Sequence, residues 1–131
     1  MNQKYPYAGE LFLTGELNWL TDPIKCVLVG SYVYSPAHQW RADIPLAVEI
    51  ALSGTLTGRT ATMGVADAND TSFGTVTGPQ ALAVIVFSDT GTRATSPLIV
   101  YYDSGTGIPR YPSGDVVNVT WSNDQSRIFR V

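Results

Sequence analysis

Apolar residues in this chain fall mostly in short runs or alternate with polar ones. Gly, Pro, Ser and Thr interrupt them at close intervals, and long helical periodicity is almost absent. That pattern belongs to short strands joined by turns. Residues 24–32 (IKCVLVGSY) put Ile24, Cys26 and Leu28 on one face of a strand and Lys25, Val27 and Val29 on the other. Two largely apolar faces predict a central strand. Residues 81–87 (ALAVIVF) read as a buried strand and 97–102 (PLIVYY) as another. Over 115–121, Val117, Val119 and Trp121 point inward, while Asn118 and Thr120 point outward. A last strand over 128–131 follows a loop, 122–127, of hairpin length. These four segments predict an antiparallel meander sharing its core with 24–32.

Other segments leave two readings open. In 5–19, Pro6 suits the first turn of a helix and Gly15 its left-handed stop, with Glu10 to Leu13 as helical core. A strand over 10–14 competes. Asp43, Ile44 and Pro45 carry helix-start chemistry and Gly54 stands past the end, yet the alternation of Val48, Ile50 and Leu52 suits a strand equally. Thr-rich 54–65 reads as half-exposed strand, 66–71 as a turn, 73–77 as a short strand, and 35–41 as a loop. The expected fold is all-β: a single small antiparallel β-sandwich or partly open barrel with at most one or two short helices. It forms one domain over 1–131, with residues 1–8 as a candidate flexible arm.

A length of 131 residues fits one domain. With 44% hydrophobic and 15% charged residues, the chain is not disordered by composition. A net charge of −3, with the cations scattered, argues against nucleic acid as a partner. A single cysteine, Cys26, excludes an internal disulfide framework. The longest apolar run, 81–87, is far short of the roughly 20 residues of a membrane-spanning helix, so no membrane partner is expected. The first residues lack an apolar signal core, which leads to the expectation of cytoplasmic synthesis.

The sharpest chemical candidate is a doublet. Asp89-Thr90-Gly91 and Asp103-Ser104-Gly105 each follow an apolar strand, as the catalytic Asp of an aspartic protease does. That chemistry needs two carboxylates about 3 Å apart. Antiparallel pairing of consecutive strands would instead put these two about a strand length apart, and both tripeptides are common turn formers. Asp67, Asn69 and Asp70 begin like a calcium loop, but Ser72 and Gly78 stand where Gly and Glu are required. His38, the only histidine, lacks metal-site partners. No Ser-nucleophile elbow and no phosphate-binding Gly loop is present. Cys26 alternates with Ile24 and Leu28, as a core thiol does. The sequons at Asn69 and Asn118 matter only on a secretory route. No cofactor is expected. Three Trp and seven Tyr are many for this length, and those in or beside loops suit interface anchors or carbohydrate platforms. Lys4, Tyr5, Tyr7, Tyr34, His38 and Trp40 are the candidate contact residues. The profile is that of a binding or structural module rather than an enzyme.

LFLTGELNW over 11–19, followed by TDPIKCVLV over 21–29, resembles a segment of small tailed-bacteriophage virion proteins, in which LFL-x-GE precedes D-x-IKVALV. The later order of an apolar strand (81–89), a Pro-Leu-led strand ending in Tyr-x-Asp (97–103) and a terminal V-x-V-x-W hairpin (117–131) is similar too. Cys26 departs from the Val or Ala of that pattern, and 45–52 has no counterpart in it. The resemblance implies a capsid decoration or cement protein on the outer surface of a phage head. Its partner would be the major capsid protein, and it would self-associate as a trimer or other homo-oligomer. A tail or head–tail connector component is the alternative, and a carbohydrate-binding module the rival of another class.

Overall fold

A computed structural model of the protein describes residues 3–103, 113–119, 121 and 128–130. Five strands form one open antiparallel sheet. They are β1 (Gln3–Lys4), β2 (Ile24–Val29), β3 (Glu49–Leu52), β6 (Ala83–Ser88) and β7 (Leu98–Tyr102), in the spatial order β1-β7-β6-β2-β3. Two two-stranded ribbons accompany it: β4 (Val65–Ala66) with β9 (Phe129–Arg130), and β5 (Thr71–Thr77) with β8 (Ser113–Val119). One helix, α1 (Pro6–Leu13), follows β1. The all-β expectation holds, and the sheet does not close into a barrel.

Period-two alternation divides the core in two. Ile24, Cys26 and Leu28 of β2 and Val84 and Val86 of β6 join one buried cluster; Val27 and Val29, with Ala83, Ile85 and Phe87, join the other. Every residue of β6 is buried. Antiparallel sheets often leave one face to water; this one fills both. The first face packs against Ala8 and Leu11 of α1, Trp19, Trp121, and the inward residues Phe73, Val76, Val117 and Val119 of the β5–β8 ribbon, a sandwich-like arrangement. The second is covered by Tyr5, Tyr32 and Ile44, with Tyr34 and Val48 against them.

The helix reading of the N-terminal segment prevails over the strand reading. Tyr5 is extended (φ −88°, ψ 124°), and Pro6 opens the first turn, where its missing N–H costs nothing. Gly15 then takes the left-handed conformation (φ +79°) that stops the helix. Residues 3–8, a candidate arm in the sequence, form β1 and the first turn of α1, and Tyr5 donates its N–H to the Ile99 carbonyl at 3.0 Å.

Two sequence expectations are corrected, and at 43–52 the strand reading prevails over the helix. Helix chemistry at 43–52 yields only a 3-10 turn over Leu46–Val48 before β3. Pro45 sits at ψ 131°, an extended value, so it does not start a helix, and the antiparallel register Val29↔Glu49, Leu28↔Ala51 and Val27↔Leu52 claims the chain for the sheet edge. The meander extends only to β6 and β7: β8 pairs with β5, and β9 with β4, across long stretches of sequence. The Thr-rich stretch before β4 contributes only an isolated bridge between Thr60 and Asp67 and a 3-10 turn at Thr62–Gly64. The predicted hairpin loop, 122–127, lies outside the described residues.

Candidate functional site

The structure sorts the six sequence-selected residues into two neighbouring sets. Lys4, Tyr5, Tyr34 and His38 belong to a tyrosine clamp over the second face. Tyr7 and Trp40 line a groove at the end of the sheet.

The clamp starts from β1, whose register on β7 is Gln3↔Tyr101 and Lys4↔Val100. Tyr5 follows, with 0% of its surface exposed. Its ring lies 5.0 Å from that of Tyr34, and its hydroxyl 2.9 Å from that of Tyr32. The Tyr32 hydroxyl lies in turn 2.6 Å from His38 Nδ1. Tyr34 donates its hydroxyl to the Lys4 carbonyl at 2.6 Å, and the Tyr101 ring packs against Tyr32 and Tyr34 at 5.9 and 5.7 Å. Burial pushes the phenol of Tyr5 up, and its bond to Tyr32 adds to the rise. Burial likewise raises Tyr32, Tyr34 and Tyr101. All four stay neutral at physiological pH, so they hold the first strand in place rather than supply a nucleophile. Tyr5 is therefore a core residue and presents no surface to a partner.

An ion-pair cluster supports the same side. Glu49 on β3 accepts from Arg41 Nη2 at 2.9 Å and from Arg93 Nη1 at 2.6 Å. Arg93 also donates to the Ile44 carbonyl at 2.7 Å, and the Arg41 guanidinium stands 5.1 Å from the Phe87 ring centroid. These groups come from three separate segments. No sequence spacing marks them, so reading the chain alone misses them.

The groove encloses about 610 Å³ where β2 begins and β6 ends. Tyr7 and Leu11 from α1 form part of its wall, Trp40 another part. The Tyr7 and Trp40 rings meet edge to face, 5.1 Å between centroids at 67°. Trp40 is fixed by its bridge to Pro97 and by donating its N–H to Asp43 Oδ2 at 3.0 Å, where the Gln39 N–H also binds at 2.8 Å. Burial alone would push the Asp43 carboxyl up. The bonds from Trp40 and Gln39, with His38 nearby, outweigh it and hold the group below the usual carboxylate range. Three carboxylates line the groove: Glu16, Asp22 and Asp89. Asp22 accepts the Asn18 N–H at 2.8 Å. Asp89 bonds Lys25 at 2.7 Å and the Gly91 N–H at 2.8 Å; Lys25 above all keeps its carboxyl below the usual range.

The sequence's chemical candidates are mostly structural. Asp89 occupies an Asx turn, and the register Phe87↔Leu98 at one end of the β6–β7 pair and Val84↔Tyr102 at the other sends Asp89 and Asp103 to opposite ends of the sheet. A shared-proton dyad is thereby ruled out within one chain. Asp70 Oδ1 accepts the Trp121 N–H at 3.2 Å, tying the chain just past β8 to the turn before β5, and the Asn69 side-chain amide donates to Thr57 Oγ1 at 3.2 Å, tying that turn to the preceding segment. Among the described residues, no three His, Cys, Asp or Glu side chains gather to hold a metal ion. Cys26 is fully buried, and burial pushes its thiol up to about 12 against the opposing pull of the Ser53 and Thr71 hydroxyls, which makes it a poor nucleophile. Among the described residues, no helix is long and apolar enough to cross a membrane.

No protein-family model matches the chain, and no curated protein matches it.

Proposed function

We propose that this protein is a non-catalytic structural component of a tailed-phage virion that binds the outer surface of the head and reinforces it. One observation carries the reading beyond the sequence resemblance. Both faces of the sheet are full, yet large apolar side chains stand out on the connections around it: Leu13 is 85% exposed, Val33 82%, Leu46 69% and Met63 87%. Met63 is held there in a left-handed backbone (φ +57°), a conformation that costs an ordinary residue about 1–2 kcal/mol. In this reading these groups make contacts outside the domain. Many copies on a symmetric shell gain avidity, so each contact can be modest. The major capsid protein is the partner in this reading, with copies of the chain as neighbours in a trimer or other homo-oligomer.

The test adds purified protein to expanded heads. Co-sedimentation and a raised disruption temperature are expected, and Leu13→Asp with Met63→Asp, both at exposed positions, should weaken binding while leaving the fold intact. Binding to purified tails and not to heads would contradict the reading.

A further inference from the structure

We propose that the groove lined by Tyr7 and Trp40 is a binding site for a neutral oligosaccharide. The inference rests on the groove alone and stands whether or not the chain belongs to a virion.

The indole N–H groups of this protein set Trp40 apart. Trp19 donates its N–H to the Asp67 carbonyl at 3.2 Å, and Trp121 donates to the Asn69 carbonyl at 3.1 Å. Each ties itself back to the protein, as buried indoles do. Among the described residues, neither the Trp40 indole N–H nor the Tyr7 hydroxyl has a hydrogen-bond partner. Both residues are half-buried, and both line the same groove. Two aromatic rings held edge to face therefore line one cleft, and each carries a polar group that no atom of the described residues bonds. Sugar rings combine an apolar C–H face, which lies on an aromatic ring, with hydroxyls that bond at the rim.

The rim supplies those bonds. Glu16 is exposed, and its carboxylate has only a long 3.5 Å contact from the Thr14 hydroxyl, so most of its acceptor capacity is open. Thr90 and Thr95, whose hydroxyls lie 2.7 Å apart, line the groove too, with both hydroxyls bonded inside their own turn, to Thr92 and, for Thr90, to Ser96. This mixture decides between ligands. A guanidinium or ammonium group only donates, and it would find two of the three carboxylates already engaged, Asp22 by Asn18 and Asp89 by Lys25. Sugar hydroxyls both donate and accept, so they can use the open Glu16 carboxylate and the Trp40 N–H together. Three carboxylates on a chain of net charge −3 disfavour an anionic glycan. A groove of about 610 Å³ lies within the usual range for small-ligand sites, roughly 300–1,000 Å³. That is room for a few sugar rings.

The experiment titrates the full chain with maltotriose, cellotriose and tri-N-acetylchitotriose at millimolar concentrations. The three tryptophan indole N–H signals are followed by proton–nitrogen NMR, with tri-arginine as a further probe. The expected result is saturable movement of the Trp40 signal by at least one trisaccharide, with Trp19 and Trp121 unmoved. Trp40→Ala should weaken binding by about tenfold or more, a loss of roughly 1.4 kcal/mol. Because Trp40 also packs against Tyr7, Glu16→Gln at an exposed position provides a second variant, expected to weaken binding severalfold with an unchanged spectrum elsewhere. Failure of all three trisaccharides to move the Trp40 signal would overturn the proposal. So would saturable binding of tri-arginine alone, which would make the groove a site for basic peptides.

Discussion

Tyr5 and Tyr32 meet hydroxyl to hydroxyl at 2.9 Å, although 27 positions separate them in the chain. Tyr5 is wholly buried, and Tyr32 is its hydroxyl's partner, so the Tyr5 proton points to Tyr32. The Tyr32 proton is then left for His38 Nδ1, 2.6 Å away. The chain of donors runs one way, from the first strand to the loop histidine, and it puts the neutral histidine's own proton on Nε2.

Nitrogen NMR of the neutral imidazole should therefore show the Nε2–H tautomer of His38. Tyr5→Phe removes one buried hydrogen bond and should cost about 1 kcal/mol. Tyr5→Ala also empties the space beneath Tyr34 and should cost about 3–5 kcal/mol. Chemical denaturation measures both. A Tyr5→Ala variant as stable as the parent would mean that the clamp does not hold β1.

Glu49 has a side chain only 8% exposed between two guanidinium groups. Glu49→Ala leaves Arg41 and Arg93 facing each other without their anion and should cost about 3 kcal/mol. Glu49→Gln, which keeps the shape and loses the charge, should cost less. Equal losses would show that packing, and not charge, holds this corner.

Cys26 should resist thiol reagents in the folded protein at pH 8, because its thiol is buried and is pushed up to about 12. It should react at once in denaturant. Rapid labelling of the native protein would contradict the burial of the first core.

Asp89 is held below its ordinary range by Lys25 and the Gly91 N–H. A carboxylate with a lowered value in the fold adds stability that is fully present above its unfolded value, about 3.9, and is lost as pH falls through the folded value. Stability should therefore drop as pH falls below about 4. Asp89→Asn should lose about 0.5–1 kcal/mol at pH 7 and show a shallower acid decline. Thermal melts of both proteins from pH 7 to pH 3 check the slope.

The strands that build the sheet were legible because their apolar pattern has one meaning. In 26–29 and 83–87, alternate positions each found a different core, and only a strand buried on both sides accommodates that. For α1 the punctuation, Pro6 and Gly15, offered the helix but left a strand over 10–14 open. Pro45 misled because the same residue opens a helix and sits comfortably in extended chain, and the deciding factor, pairing of Glu49 with Val29, lies 20 positions away. Partner choice was hidden for the same reason. The pattern of Val117, Val119 and Trp121 predicts a strand with one inward face, but says nothing of whether β5 or a sequence neighbour will lie beside it. Composition singled out the aromatic residues as contact candidates. It missed that Tyr5 turns inward while Tyr7, two positions on and around the first turn of a helix, reaches a groove with Trp40.

Quantitative mass spectrometry of purified virions, separated into heads and tails, decides whether this chain is a head protein. The chain is expected to travel with the heads in a fixed, high ratio to the major capsid protein. Its absence from heads, with or without presence in tails, would overturn the proposed role on the head.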